Sequence, residues 1–189
     1  MPDGSWWAGD GPLPYAACYC EENAWQLCAR ARRLGRDLPG FFVVFISNPA
    51  RTVRLFKQRA GRDHMGHVIW DYHVVVIVQS ADRSIVYDQD TTMTPFPIDF
   101  ETYMTGTFPL GESEHPRFRS MFRVVPAERY LADFSSDRSH MATSDASPPP
   151  WKPIWNGLMN LDTFIDMPSS DPEVHSFGQL MNRFSRAES

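Results

Sequence analysis

The chain has 189 residues, 42 % of them hydrophobic and 22 % charged, with 18 basic against 23 acidic side chains and a net charge of −5. That length and balance fit one globular domain, and the negative charge disfavours non-specific binding to nucleic acid or to an anionic membrane. The longest apolar runs, Phe41 to Ile46 and Val74 to Val78, are far too short to cross a bilayer.

In chain order, residues 1–14 are rich in Gly, Pro and Asp and predict a loose arm ahead of a single domain over 15–189. They carry no basic stretch leading into an apolar one, so no signal peptide is expected. The three cysteines, Cys18, Cys20 and Cys28, are odd in number and clustered, which points to reduced thiols in the cytoplasm, with the nucleus as the other compartment. A helix is expected from about Cys20. Ala24, Leu27, Cys28, Ala31 and Leu34 make one buried stripe, acidic Glu21 and Glu22 open it, Arg30, Arg32 and Arg33 end it, and Gly35 stops it. Phe41 to Ile46 reads as a buried strand ended by Ser47-Asn48-Pro49, and Arg54 to Lys57 as a short one. Val68 to Val78 and Ser84 to Asp88 predict a β-hairpin turning at Ser80-Ala81-Asp82-Arg83. Phe118 to Val125 suggests another strand. Ala127 to Phe134, Asn160 to Ile165 and Phe177 to Phe184 suggest short helices, while the Pro- and Ser-rich segment 143–153 cannot be regular. The fold class expected is α+β, a single-domain α/β sandwich with a central, mainly antiparallel sheet and helices on its faces.

Cys20 opens the first helix, where unpaired backbone N–H groups favour an anion and lower a thiol's pKa, although Glu21 and Glu22 act the other way. If the hairpin loop has an even number of residues, Gln79 pairs with Ser84. His73, Val75, Asp88 and Asp90 then share one face, and Val74, Val76, Val78, Ile85 and Tyr87 the other, which should pack on a helix. Asp88 becomes the diagonal neighbour of His73, roughly 7–8 Å away between α-carbons. A thiol, an imidazole and a carboxylate in this order fit nucleophile, base and orienting group, and the spacing leaves Asp88 and Asp90 both open as the third member. A metal site is the poorer use of these residues: Cys18 and Cys20 form only C-x-C, and His64 and His67 lie in a glycine-containing loop.

Trp70-Asp71-Tyr72-His73-Val74 resembles the W-D-Y-H-V motif of the protein N-terminal glutamine amidohydrolases. Further likeness lies in CYCEENAWQLC (18–28), VFISN (44–48), IVYDQDT (85–91), PFP (95–97), HPRFRSMFRV (115–124), SDRSHM (136–141) and MNLDTFI (159–165). The resemblance implies a triad of Cys20, His73 and Asp88, choosing Asp88 over Asp90. It implies a papain- or transglutaminase-like thiol-enzyme core, no cofactor and no metal. The reaction implied is removal of the side-chain amide from N-terminal Gln of proteins or peptides, leaving Glu and ammonia; that product can be arginylated and read as a degradation signal. A monomer is expected.

Such a substrate also carries an α-ammonium, which asks for a carboxylate. Asp71, Glu21 and Asp90 are the candidates, with Asp71 favoured because it lies two residues before His73 on the same predicted strand. Tyr19, Trp25 and Trp70 could wall the slot for the Gln side chain. Ser136 to Met141 reads as turn and cap chemistry without a catalytic role. The rival functions are a papain-like protease or transglutaminase using the same triad, and a non-catalytic adaptor that binds N-termini.

Overall fold

The computed structural model describes residues 10–185. The elements run α1 (Cys20–Arg33), β1 (Phe41–Ser47), β2 (Val53–Leu55), β3 (Val68–Trp70), β4 (His73–Gln79), β5 (Ser84–Tyr87), β6 (Ile98–Asp99), α2 (Phe100–Thr107), β7 (Met121–Pro126), α3 (Ala127–Asp133), α4 (Leu161–Ile165), β8 (Val174–His175) and α5 (Phe177–Phe184). Six strands form one sheet in the order β6-β5-β4-β1-β7-β8, every pair antiparallel, and β2 pairs with β3 in a separate ribbon.

The alternation of side chains along β4 divides the core in two. Val74, Val76 and Val78 point to one face, where Ala24, Leu27, Cys28 and Ala31 of α1 cover them together with α3 and α4. Val75 and Ile77 point to the other, against α2, α5 and the β2–β3 ribbon. The fold is thus α+β, with helices on both faces of an antiparallel sheet. No helix among the described residues is long and apolar enough to cross a membrane.

α1 ends where its sequence says it should. Gly35 takes φ +67°, its N–H donates to the Arg32 carbonyl, and the Arg36 N–H donates to the Ala31 carbonyl, each at 3.0 Å. These two bonds make a Schellman motif, which puts Leu34 at the C-cap and half outside the core rather than on the buried stripe. The hairpin register is that of the even loop: Val76 faces Tyr87 and Gln79 faces Ser84.

Two expectations need correction. Val68 to Val78 is not one strand, because the chain bends at Asp71-Tyr72 and β3 leaves for the ribbon with β2. The Ser47 hydroxyl fixes the bend by donating to the Asp71 carbonyl at 2.6 Å. And α2 is not expected from the sequence: FETYMTGT holds three threonines and a glycine, poor helix formers, but Asp99 caps it by accepting from the Thr102 N–H. Most of the expected N-terminal arm, residues 1–9, lies outside the described residues; Asp10 to Pro12 are held against α1 by Arg30. Residues 143–153 form neither helix nor strand.

Gly35 has nothing within 4 Å of an added Cβ, so Gly35→Ala meets strain without collision. The expected loss is about 1–2 kcal/mol, read as a lower urea midpoint at unchanged slope.

Candidate active site

Cys20 reaches its place through a short kinked lead-in. Cys18 takes a left-handed φ of 68°, and two bonds between Ala16 and the Asn23 amide, 2.8 and 2.9 Å, lock this turn onto the first turn of α1. The Tyr19 cap makes no side-chain bond, leaving the first N–H groups of the helix open beside Cys20. The Cys20 sulfur meets the backbone N–H of Val74, the residue after His73. Cys20 and His73 line one cavity of about 530 Å³, with Tyr15, Trp70, Asp90 and His140 among its walls.

His73 and Asp88 are both buried, and Nε2 of the imidazole lies 2.9 Å from Asp88 Oδ1. β5 stops at Tyr87, so Asp88 has left the ladder and turns its carboxylate in toward His73. Three further donors hold it: the Asp90 N–H at 3.0 Å on Oδ1, and Gln58 Nε2 at 3.1 Å and the Tyr103 hydroxyl at 2.9 Å on Oδ2. With Nε2 turned to Asp88, Nδ1 is the ring nitrogen left for other work. Trp70 lies over the imidazole with ring centroids 5.0 Å apart. His73, Asp88 and Asp90 lie within 4.8 Å of one another, close enough to share a cation, but Asp88 already answers four donors.

Burial opposes charge on His73, yet the charge and hydrogen bond of Asp88 outweigh it and hold the imidazole above its ordinary pKa. Burial would likewise raise Asp88, but the charge of His73 and the bonds from His73, Gln58 and Asp90 hold it below the usual carboxylate range. Cys20 goes the other way. Burial first, then the charges of Glu21 and Asp90, push the thiol well above its ordinary value, against only the Val74 N–H. The expectation of a thiol acidified by the helix N-terminus is therefore overturned for the resting site, where sulfur is protonated and donates to Glu21 Oε2 at 3.7 Å.

Of the residues expected to touch substrate, Trp70 and Asp71 line the cavity. Asp71 is exposed, one of its oxygens accepts the Tyr72 N–H, and the strand break removes the reason for placing it on the His73 face. Tyr19 is not a wall of the cavity: it is buried, with the Arg138 guanidinium 5.7 Å from its ring. Trp25 also lies away from it, packed on the core. Ser136 to Met141 shows the expected turn bonds, Ser136 Oγ accepting from Arg138 N and Asp137 from Ser139 N. It does more than turn, since Arg138 grips buried Glu22 through two bonds of 2.7 and 2.8 Å and so sets His140 on the cavity wall. Also on the cavity wall, Arg51 pairs with Asp162 and Asp166 of the α4 segment, each at 2.8 Å.

Gln58 and Tyr103 are the members that the sequence did not reveal. Tyr103 stands on the unforeseen α2. Gln58 follows β2 in a loop where Gly66, at φ +61°, packs so closely that a Cβ would lie 2.9 Å from the Gln58 N and O. Only chain proximity to a strand end could have hinted at either.

Tyr103→Phe strips one donor from a buried carboxylate and should cost about 1–3 kcal/mol in urea unfolding. For the pair itself, His73 above its unfolded value of 6.5 stabilises the fold below that pH and loses this as pH rises through the folded value. Asp88 below 3.8 stabilises above that pH and loses it as pH falls through its folded value. Asp88→Asn should therefore destabilise most between about pH 4 and 6.5 and lower the His73 midpoint in an NMR titration. An unmoved midpoint would exclude the ion pair.

The sequence profile described as N-terminal glutamine amidase matches residues 15–188. Protein N-terminal glutamine amidohydrolase from Bos taurus is 44 % identical over 184 residues, covering 90 % of this chain and 86 % of its own. The proteins of the same name from Homo sapiens, 44 % identical over 183 residues (90 % and 87 %), and Drosophila erecta, 46 % over 183 (92 % and 89 %), are alike to the same degree. A match of this extent makes the chain a member of the N-terminal glutamine amidase family.

Proposed function

We propose that this protein is an amide hydrolase that converts N-terminal glutamine of proteins and peptides to glutamate, with Cys20 as nucleophile, His73 as base and Asp88 as the group that orients it. Family membership supports the reaction. The observation that carries the residue roles is that Cys20 and His73 line one cavity wide enough for a chain end, with the imidazole backed by the buried Asp88.

Asp88 accepts from Nε2–H, so the neutral ring presents the Nδ1 lone pair, and Nδ1 takes the thiol proton as sulfur attacks the γ-carboxamide carbon. The tetrahedral oxyanion lies beside the open N–H groups at the start of α1. The imidazolium returns its proton to the departing nitrogen, ammonia leaves, and a thioester remains. Water, deprotonated at the same nitrogen, then releases glutamate and the thiol. A resting thiol suits this sequence, because the proton moves only once His73 has a reason to take it. An antiparallel sheet with the nucleophile at the head of the helix packed on it is the arrangement we read as papain- or transglutaminase-like. Acting on chain ends and needing no cofactor, the enzyme would work as a monomer in the cytoplasm or nucleus. Its product, an N-terminal Glu, would feed arginylation and degradation.

Incubated with a peptide beginning in Gln, the protein should release ammonia and raise the peptide mass by about one dalton, NH₂ being exchanged for OH, without cleavage or joining to lysine. Internal Gln and N-terminal Asn should be left alone. Cys20→Ala should unfold at the wild-type urea midpoint within about 1 kcal/mol and release no ammonia. Ammonia at the wild-type rate from that variant would remove Cys20 from its role.

A further inference from the structure

Glu21 is wholly buried, yet only half answered. Its Oε2 accepts from the Tyr72 hydroxyl at 3.1 Å and from the Cys20 thiol at 3.7 Å. Its Oε1 has no hydrogen-bond partner among the described residues. Nε2 of His140, on the cavity wall, lies 3.6 Å from it, beyond hydrogen-bonding distance but close enough to form an ion pair whenever that imidazole is protonated. Tyr72, Cys20 and His140 all line the cavity, so the orphaned oxygen sits just behind its surface. A buried carboxylate oxygen without a donor is costly, and a cationic ligand is what would relieve it.

Resting on the function proposed above, we propose that Glu21 receives the α-ammonium of the substrate, its Oε1 being the acceptor and His140 the side chain that borders the slot. Reach agrees. Four bonds of about 1.5 Å separate the attacked amide carbon of Gln from its α-nitrogen, so the two lie at most about 5 Å apart. Oε2 of the same Glu21 carboxylate lies 3.7 Å from the attacking sulfur. The other acidic candidates are already engaged: Asp90 accepts the Tyr15 hydroxyl at 2.5 Å, and exposed Asp71 accepts the Tyr72 N–H.

The same contact explains why a carboxylate stands beside a nucleophile at all. In the resting site Glu21 holds the thiol proton and its charge disfavours the thiolate. An ammonium bound at Glu21 offsets that charge and competes for the carboxylate, freeing the thiol for His73. Of the other groups facing Glu21, Tyr72 and Tyr130 are neutral donors, the latter to the Glu21 carbonyl, Arg138 is committed to Glu22, and His140 stands 3.6 Å from Oε1. A chain without a free amino terminus would leave Cys20 unactivated, so the site selects N-terminal over internal Gln in the chemical step as well as in binding.

The experiment compares a Gln-initiated peptide with the same peptide whose α-amine is replaced by hydrogen. Wild type should prefer the free amine in kcat/KM by about thirtyfold or more, with part of the loss in kcat. Glu21→Gln should bring that ratio close to one, and should lower the pH midpoint of Cys20 alkylation by iodoacetamide in the absence of peptide. A ratio near one in wild type overturns the cation site while leaving deamidation intact. A ratio preserved in Glu21→Gln, with equal losses on both peptides, overturns the role of Glu21, as does a collapse in Asp90→Asn alone. Silence of the wild type on both peptides overturns the parent reading and this one with it. Should Glu21→Gln fail to fold by circular dichroism, Glu21→Asp decides: it keeps the charge but draws it back, and an undiminished preference there refutes the proposal.

Discussion

Asp88 brings a carboxylate into a part of the molecule where water does not reach, and every oxygen lone pair it carries there needs a donor. His73 and the Asp90 N–H answer one oxygen, Gln58 and Tyr103 the other. Each donor comes from a different piece of chain: the head of β4, the turn after β5, the loop after β2, and α2. The bond between imidazole and carboxylate thus depends on the ribbon, the helix and the sheet arriving together, and a single ring orientation results. Trp70 closes over that ring from the end of β3, which is possible because the chain breaks between β3 and β4.

The near side of the site rests on two consecutive acids. Glu22 and Glu21 follow Cys20 on α1, both fully buried, and face different partners. Glu22 is satisfied by the paired bonds of Arg138 and by the Trp151 indole at 2.6 Å, so it ties the irregular segments around 138 and 151 to the helix. A buried carboxylate with three charge-assisted or indole donors is structural in character. Glu21, one residue earlier, lies behind the cavity wall with one oxygen that accepts no hydrogen bond among the described residues. One helix turn thus anchors a wall with one carboxylate and offers the other to whatever enters.

Much of this was readable from the chain, for stateable reasons. Apolar periodicity fixed α1, β1 and β4, because their side chains have few places to go but the two cores. The four-residue loop Ser80–Arg83 set the hairpin register, so the likeness of Asp88 to a family residue and the geometry reached the same face. What could not be read depended on contacts distant in sequence. The bend at Asp71 is imposed by Ser47, 24 residues away. The helix carrying Tyr103 forms through its cap and its buried aromatic face despite weak propensity. Tyr19 has the aromatic side chain that a wall needs, but at the N-cap it is buried, with the Arg138 guanidinium 5.7 Å from its ring. The thiol follows a similar rule: its helix position and its acidic neighbours are visible in a sequence, the burial that dominates its pKa is not.

The pairs from Arg51 to Asp162 and Asp166 differ in kind from these interior bonds. They lie in the open beside the cavity that Arg51 and Asp162 line, with Arg51 43 % and the two acids 74 % and 64 % exposed, where ion pairs contribute little and screen readily. The catalytic floor is fixed by burial, while this stretch of the cavity wall is joined by solvent-facing charge. Ionic strength should accordingly act on entry and exit rather than on bond-making, and tolerance for bulky residues following the first should widen as salt is added.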